Sequence, residues 1–151
     1  MIENVFSLND LTASDTMTPR PQLVWIDLED TEENIWEDIN HSTHFRLPVG
    51  NGSLDDFKGL ADMSEVLRDQ HRNPGKSIKA SIMDSAYRPL LIPETLILTK
   101  VLALFKDRVV HEAVVIDEYG TLTGLVTLHD VFGRNRGGYA RRQGRHAGGT
   151  K

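Results

Sequence analysis

The chain has 151 residues and a formal net charge of −5, with 39% hydrophobic and 26% charged residues, a profile that fits a globular body large enough to bury a core. It has no cysteine, which excludes disulfide staples and thiolate metal sites and fits a reducing cytosol. Up to Gly133 the chain carries 22 acidic residues against 11 lysines and arginines, which argues against a nucleic-acid surface on that body.

The N-terminus, MIENVFSLNDLTASD, is acidic and polar, and no apolar run approaches the roughly 20 residues of a membrane helix, so neither a secretory signal nor an anchor is expected. LVWIDLEDTEENIWEDI (Leu23 to Ile39) reads as a short strand, a turn with Asp30 or Thr31 as N-cap, and a helix with Ile35, Trp36 and Ile39 on its apolar face. A strand at Leu47 to Val49, a glycine-rich turn and a strand-to-helix segment from Leu60 follow. The polar stretch Arg68 to Ser81, with Pro74–Gly75, reads as a linker. LLIPETLILTKVLALF (Leu90 to Phe105) repeats the strand, turn and helix, burying Val101, Leu102 and Phe105. AVVID (Ala113 to Asp117), the turn EYGTLTG and LVTLHDVF from Leu125 complete the pattern.

The halves superpose at an offset of about 65 residues, so Gly59 matches Gly124, Asp62 matches Thr127 and Glu65 matches Asp130. The fold class this predicts is α/β: two β-α-β-β-α repeats with pseudo-twofold symmetry, sharing one core because neither could bury both its helices alone. The predicted boundaries are 10–70 for the first repeat, 71–81 for the linker, 82–133 for the second repeat and 134–151 for a basic tail.

MTPR (Met17 to Arg20), FRLPV (Phe45 to Val49), IPET (Ile92 to Thr95), IDEYG (Ile116 to Gly120) and GLVTLHD (Gly124 to Asp130) stand in order at the spacing of a known family. The chain resembles the tandem CBS-domain pair (Bateman module) of the CorC/HlyC hemolysin-like proteins, bacterial relatives of the CNNM magnesium transporters. The resemblance covers about Val5 to Phe132. It implies a regulatory module on the cytoplasmic side of the inner membrane, preceded by a transmembrane domain and followed by a small transporter-associated domain. It also implies a homodimer through the CBS pairs, with Trp36 or Leu104 at exposed helix faces supplying contact, and a parent protein that moves or exports divalent cations such as magnesium or cobalt.

Thr127 at a strand end and Asp130 one helical turn later face the same way, and two readings follow. A hydroxyl and a carboxylate suit the sugar and phosphate oxygens of a nucleotide, whereas Thr127 as N-cap with Asp130 balancing the helix dipole is the structural alternative. The resemblance favours the first and assigns Gly124, Thr127 and Asp130 to an adenine nucleotide (ATP, ADP or AMP), with Mg²⁺ bridging its phosphates. Tyr87, Arg88, Pro89 and Ile116 are candidate walls of the base slot, and Arg88, Arg20 and Arg46 are phosphate candidates. In the first repeat Asp62 and Glu65 would repel phosphate, so one competent site per chain is expected.

His41 and His44 stand three residues apart without a third ligand, and no catalytic constellation stands out, so neither a metal site nor an enzyme is expected. A ligand-free dimerisation scaffold is the alternative function. The tail GRNRGGYARRQGRHAGGTK resembles an RNA-binding arm, but a one-base shift of one allowed spelling gives A-A-I-V-G-D-M, close to the family's own continuation. A disordered product of a frameshift is therefore expected there, rather than a nucleic-acid partner.

Overall fold

The computed structural model describes residues 9–133, so the tail expected at 134–151 lies outside the described residues. Helix α1 (Ala13–Thr16) and strand β1 (Thr18–Pro19) lead into a 3-10 turn at Arg20–Gln22. The first repeat then runs β2 (Ile26–Asp27), α2 (Glu32–His41), β3 (Arg46–Gly50), β4 (Phe57–Asp62) and α3 (Met63–Arg72). After α4 (Ile78–Ser85), the second repeat runs β5 (Leu90–Pro93), α5 (Leu98–Arg108), β6 (Glu112–Ile116), β7 (Leu122–Thr127) and α6 (Leu128–Gly133).

The chain folds as two compact units, and they are not the two repeats as drawn from the sequence. Among the described residues, one is Val24–Arg88; the other joins residues 9–23 to residues 89–133. In the first unit the sheet order is β2-β3-β4, with β2 and β3 parallel across the α2 crossover and β4 antiparallel. Thr31 caps α2 by accepting from Asn34 N at 3.1 Å. Ile35 is fully buried, while Trp36 and Ile39 pack half-buried against the same cluster as Ile26, Leu47, Val49 and Val66.

Residues 71–81, read from the sequence as a linker, hold the end of α3 and the start of α4. Ser77 caps α4 through Ala80 N, and Ile78 and Ile82, one turn apart, enter the core of this unit. Pro74–Gly75 only turns the chain between the two helices. Lys76 holds that turn by ion pairs to Asp69 and Asp84, at 2.7 Å and 2.6 Å. Beyond α4, Tyr87 bridges antiparallel to Leu60 at the open side of β4.

The second unit has the order β1-β7-β6-β5, with β5 and β6 parallel across α5 and the other pairs antiparallel. Its core gathers Ile92, Leu98, Val101, Phe105, Ala113, Val115, Val126 and Val131 around Ala13 of α1. The expectation of one shared core is therefore corrected: there are two hydrophobic clusters, one in each unit. The physical reason is that each repeat's leading segment completes the other repeat's sheet. Thr18–Pro19 pairs with Leu125 and Gly124 of the second repeat, and Tyr87 pairs with Leu60 of the first, so each sheet gains the cover that its own repeat lacks.

Candidate functional site

Each repeat turns from its last strand into a helix in the same way. In the second, Leu128 N donates to His111 O at 2.7 Å; in the first, Met63 N donates to Phe45 O at 2.7 Å. The glycines three residues before each turn match because a second chain passes directly over them. A β-carbon on Gly124 would stand 2.5 Å from Met17 Sδ and 2.8 Å from Thr18 O, and one on Gly59 would stand 2.6 Å from Tyr87 O.

The chemistry at the two turns differs. Thr127 and Asp130 form a reciprocal capping box: Asp130 N donates to Thr127 Oγ1 at 3.0 Å, and Thr127 N donates to Asp130 Oδ2 at 3.1 Å. Asp130 is buried at 4% exposure and Thr127 is half-buried. Two of the first three N–H groups of α6 are thus taken by His111 O and Thr127 Oγ1. The polar resources here are side chains: a hydroxyl that accepts from Asp130 while keeping its own proton to donate, and a carboxylate. Such a pair suits neutral hydroxyls, as on a sugar, better than bare phosphate.

Directly across the ladder from Thr127 is Glu112, buried at 8% exposure, which sequence reasoning missed. Its signal was a lone acid opening the apolar run HEAVVID. Pro89, buried, precedes Leu90, the partner of Ala113, and so lies at the same end of the ladder as Thr127. Ile116 stands at the opposite end, four residues from Glu112, or roughly 13 Å along an extended strand. Tyr87 is half-buried in its bridge to Leu60, and Arg88 is exposed at the end of the other unit. Arg20 donates from Nη1 to Leu122 O at 3.1 Å.

At the first turn, Asp62 caps α3 and accepts from Ser64 N at 2.9 Å and Ser64 Oγ at 2.6 Å. Arg46, its cross-strand partner, pairs with it at 3.4 Å. A carboxylate thus already fills the place where an anion would sit. Burial pushes the Asp62 carboxyl upward, but the Ser64 hydroxyl and N–H and the Arg46 charge outweigh that and hold it below its ordinary 3.8. A depressed carboxyl stabilises the fold above its unfolded value, and that contribution disappears as pH falls through the folded value. Asp62→Asn should therefore cost about 0.5–1 kcal/mol at neutral pH. The difference from the parent chain should narrow as the pH falls below the carboxyl's ordinary 3.8, as read from urea midpoints.

The CBS domain family profile matches residues 78–136. A polyamine export protein of Escherichia coli K12 is 30% identical over 132 residues; the match takes in 87% of this chain but only 29% of that protein. A CBS-domain pair with bound AMP from Klebsiella pneumoniae superposes with a TM-score of 0.74 at 29% identity, over 83% of this chain and 98% of that one. The CBS domain of a bacterial CNNM/CorC family Mg²⁺ transporter in complex with ATP gives 0.73 at 29% identity, over 87% and 92%. With two α/β units built from two repeats, and these neighbours in sequence and structure, the chain is a CBS-domain pair whose structural relatives include the CBS domains of CNNM/CorC transporters.

Proposed function

We propose that the chain is a non-catalytic module that binds one adenine nucleotide at Gly124, Thr127 and Asp130. The carrying observation is the Thr127–Asp130 pair, a hydroxyl and a buried carboxylate locked together at a strand end, in a fold similar to CBS pairs solved with AMP and with ATP. Asp130 accepts from the ribose hydroxyls and Thr127 donates to a sugar or phosphate oxygen. Pro89 lies at the same end of the sheet and walls the site. Glu112 disfavours bare phosphate beside Thr127, so ATP is taken with Mg²⁺ bridging its phosphates.

The parent is a membrane transport or efflux protein of the hemolysin-like kind. The module works from the cytoplasmic side as a homodimer, between a transmembrane domain and a transporter-associated domain. Nucleotide shifts the population of its arrangements, and the membrane domain responds. Among the described residues no helix is long and apolar enough to cross a membrane. A second reading, a ligand-free dimerisation scaffold, is favoured by the capping box itself, because Thr127 and Asp130 already satisfy each other.

Calorimetric titration with AMP, ADP and ATP, each with and without Mg²⁺, separates the two. The nucleotide reading expects saturable binding of one ligand per chain, weakened about tenfold in Thr127→Ala by loss of one hydrogen bond. A folded chain that takes up none of the three leaves the scaffold.

A further inference from the structure

Residues 9–20 adjoin the first repeat in sequence yet bond to the second. Thr99 Oγ1 donates to Asn9 Oδ1 at 3.0 Å, and Leu98 N donates to Leu11 O at 2.9 Å. Ala13 N and Ser14 N donate to Leu96 O and Glu94 O at 2.8 Å and 3.1 Å, and Ala13 is fully buried among Leu98, Val101 and Val126. Thr18 and Pro19 then pair with Leu125 and Gly124. The segment is a strap tied at one end to the start of α5 and at the other to β7. Its closest approach is at Gly124, three residues before Thr127 on the same strand.

We propose that this strap is the output element of the nucleotide site, an inference that rests on the reading of Thr127 and Asp130 given above. A ribose hydroxyl donating to Asp130 draws on the same carboxylate that accepts from Thr127 N, so occupancy bears on the capping bond at the end of β7. Between Thr127 and Gly124 the strand is paired to β6 on one side, and Val126 is fully buried, so a displacement at one end reaches the other. At Gly124 it meets Met17 and Thr18, which pack so closely that no β-carbon fits between them and the strand. Ligand occupancy therefore changes the grip of residues 9–20 on the second repeat. A domain joined on the N-terminal side feels the state of the site through these residues.

The test uses the whole chain with AMP as probe. Asp15 closes α1 by accepting from Thr12 N at 2.8 Å and Thr12 Oγ1 at 3.1 Å; it is exposed and lies outside the binding residues. Saturating AMP should change hydrogen exchange at the Ala13, Ser14 and Met17 amides severalfold. Asp15→Ala should shift the AMP Kd by about fivefold or more, the usual lower range of coupling between sites, and Asp15→Asn, which keeps a capping acceptor, should restore most of it. AMP binding with unaltered exchange in the strap and an unaltered Kd in Asp15→Ala would overturn the strap's role while leaving the nucleotide reading intact. Failure of the parent chain to bind AMP, ADP or ATP, with or without Mg²⁺, would overturn both together.

Discussion

Gly59→Ala should be among the most damaging single changes in the chain, costing about 2–6 kcal/mol. Two causes add. The backbone at Gly59 has φ +137°, a region where a β-carbon costs about 1–3 kcal/mol. The added carbon would also stand 2.6 Å from Tyr87 O, a backbone atom that cannot rotate away, and moving it costs about 1–3 kcal/mol more. That carbonyl accepts from Leu60 N and Tyr87 N donates back to Leu60 O, so relief means breaking the bridge that holds α4's far end to the sheet. Thermal unfolding should show a fall of roughly 5–20 °C for a chain of this size. Gly75→Ala serves as control: φ is also positive, at +95°, but nothing lies within 4 Å of its β-carbon, so only the backbone strain should appear.

Asp130→Ala should act on stability and on binding at once, and the two effects are separable. Loss of the capping box removes an acceptor from Thr127 N and should cost about 1–2 kcal/mol in denaturant unfolding. Loss of the carboxylate removes a charge-assisted hydrogen bond to a ribose hydroxyl, about 1.5–3 kcal/mol, so AMP affinity should fall by roughly 10- to 150-fold. Asp130→Asn keeps an oxygen for Thr127 N and should recover most of the stability while leaving affinity low. A scaffold without ligand would show the first effect only.

The helices with clear apolar spacing were legible in the sequence. Ile35, Trp36 and Ile39 marked α2, and Val101 with Phe105 marked α5, because one helix face must be buried wherever it packs. The repeat was legible too, down to the matched glycines at 59 and 124. Their reason was not, since it lies in chains arriving from distant positions, Met17–Thr18 and Tyr87. The same blindness hid the true units. A two-residue strand such as Thr18–Pro19 carries no periodicity, and nothing local says that it pairs with the repeat lying farther along the chain. Helix α4 was missed because its main apolar signal is Ile78, set in the polar run KSIKAS just after a Pro–Gly turn, and Ile82 one turn on. At the site, the Thr127–Asp130 spacing left capping and ligand binding open; the structure adds the capping bonds, and Glu112 joined the group only through strand register.

The central claim is that an adenine nucleotide occupies the second repeat's turn and not the first's. The most direct measurement is an amide NMR titration of the chain with AMP. The account predicts saturable shifts centred on Gly124, Thr127 and Asp130, with Asp62 and Glu65 unmoved because the Asp62 carboxylate already caps α3 beside Arg46. Shifts centred on Asp62 and Glu65, or a spectrum that neither AMP nor ATP with Mg²⁺ changes, would contradict it.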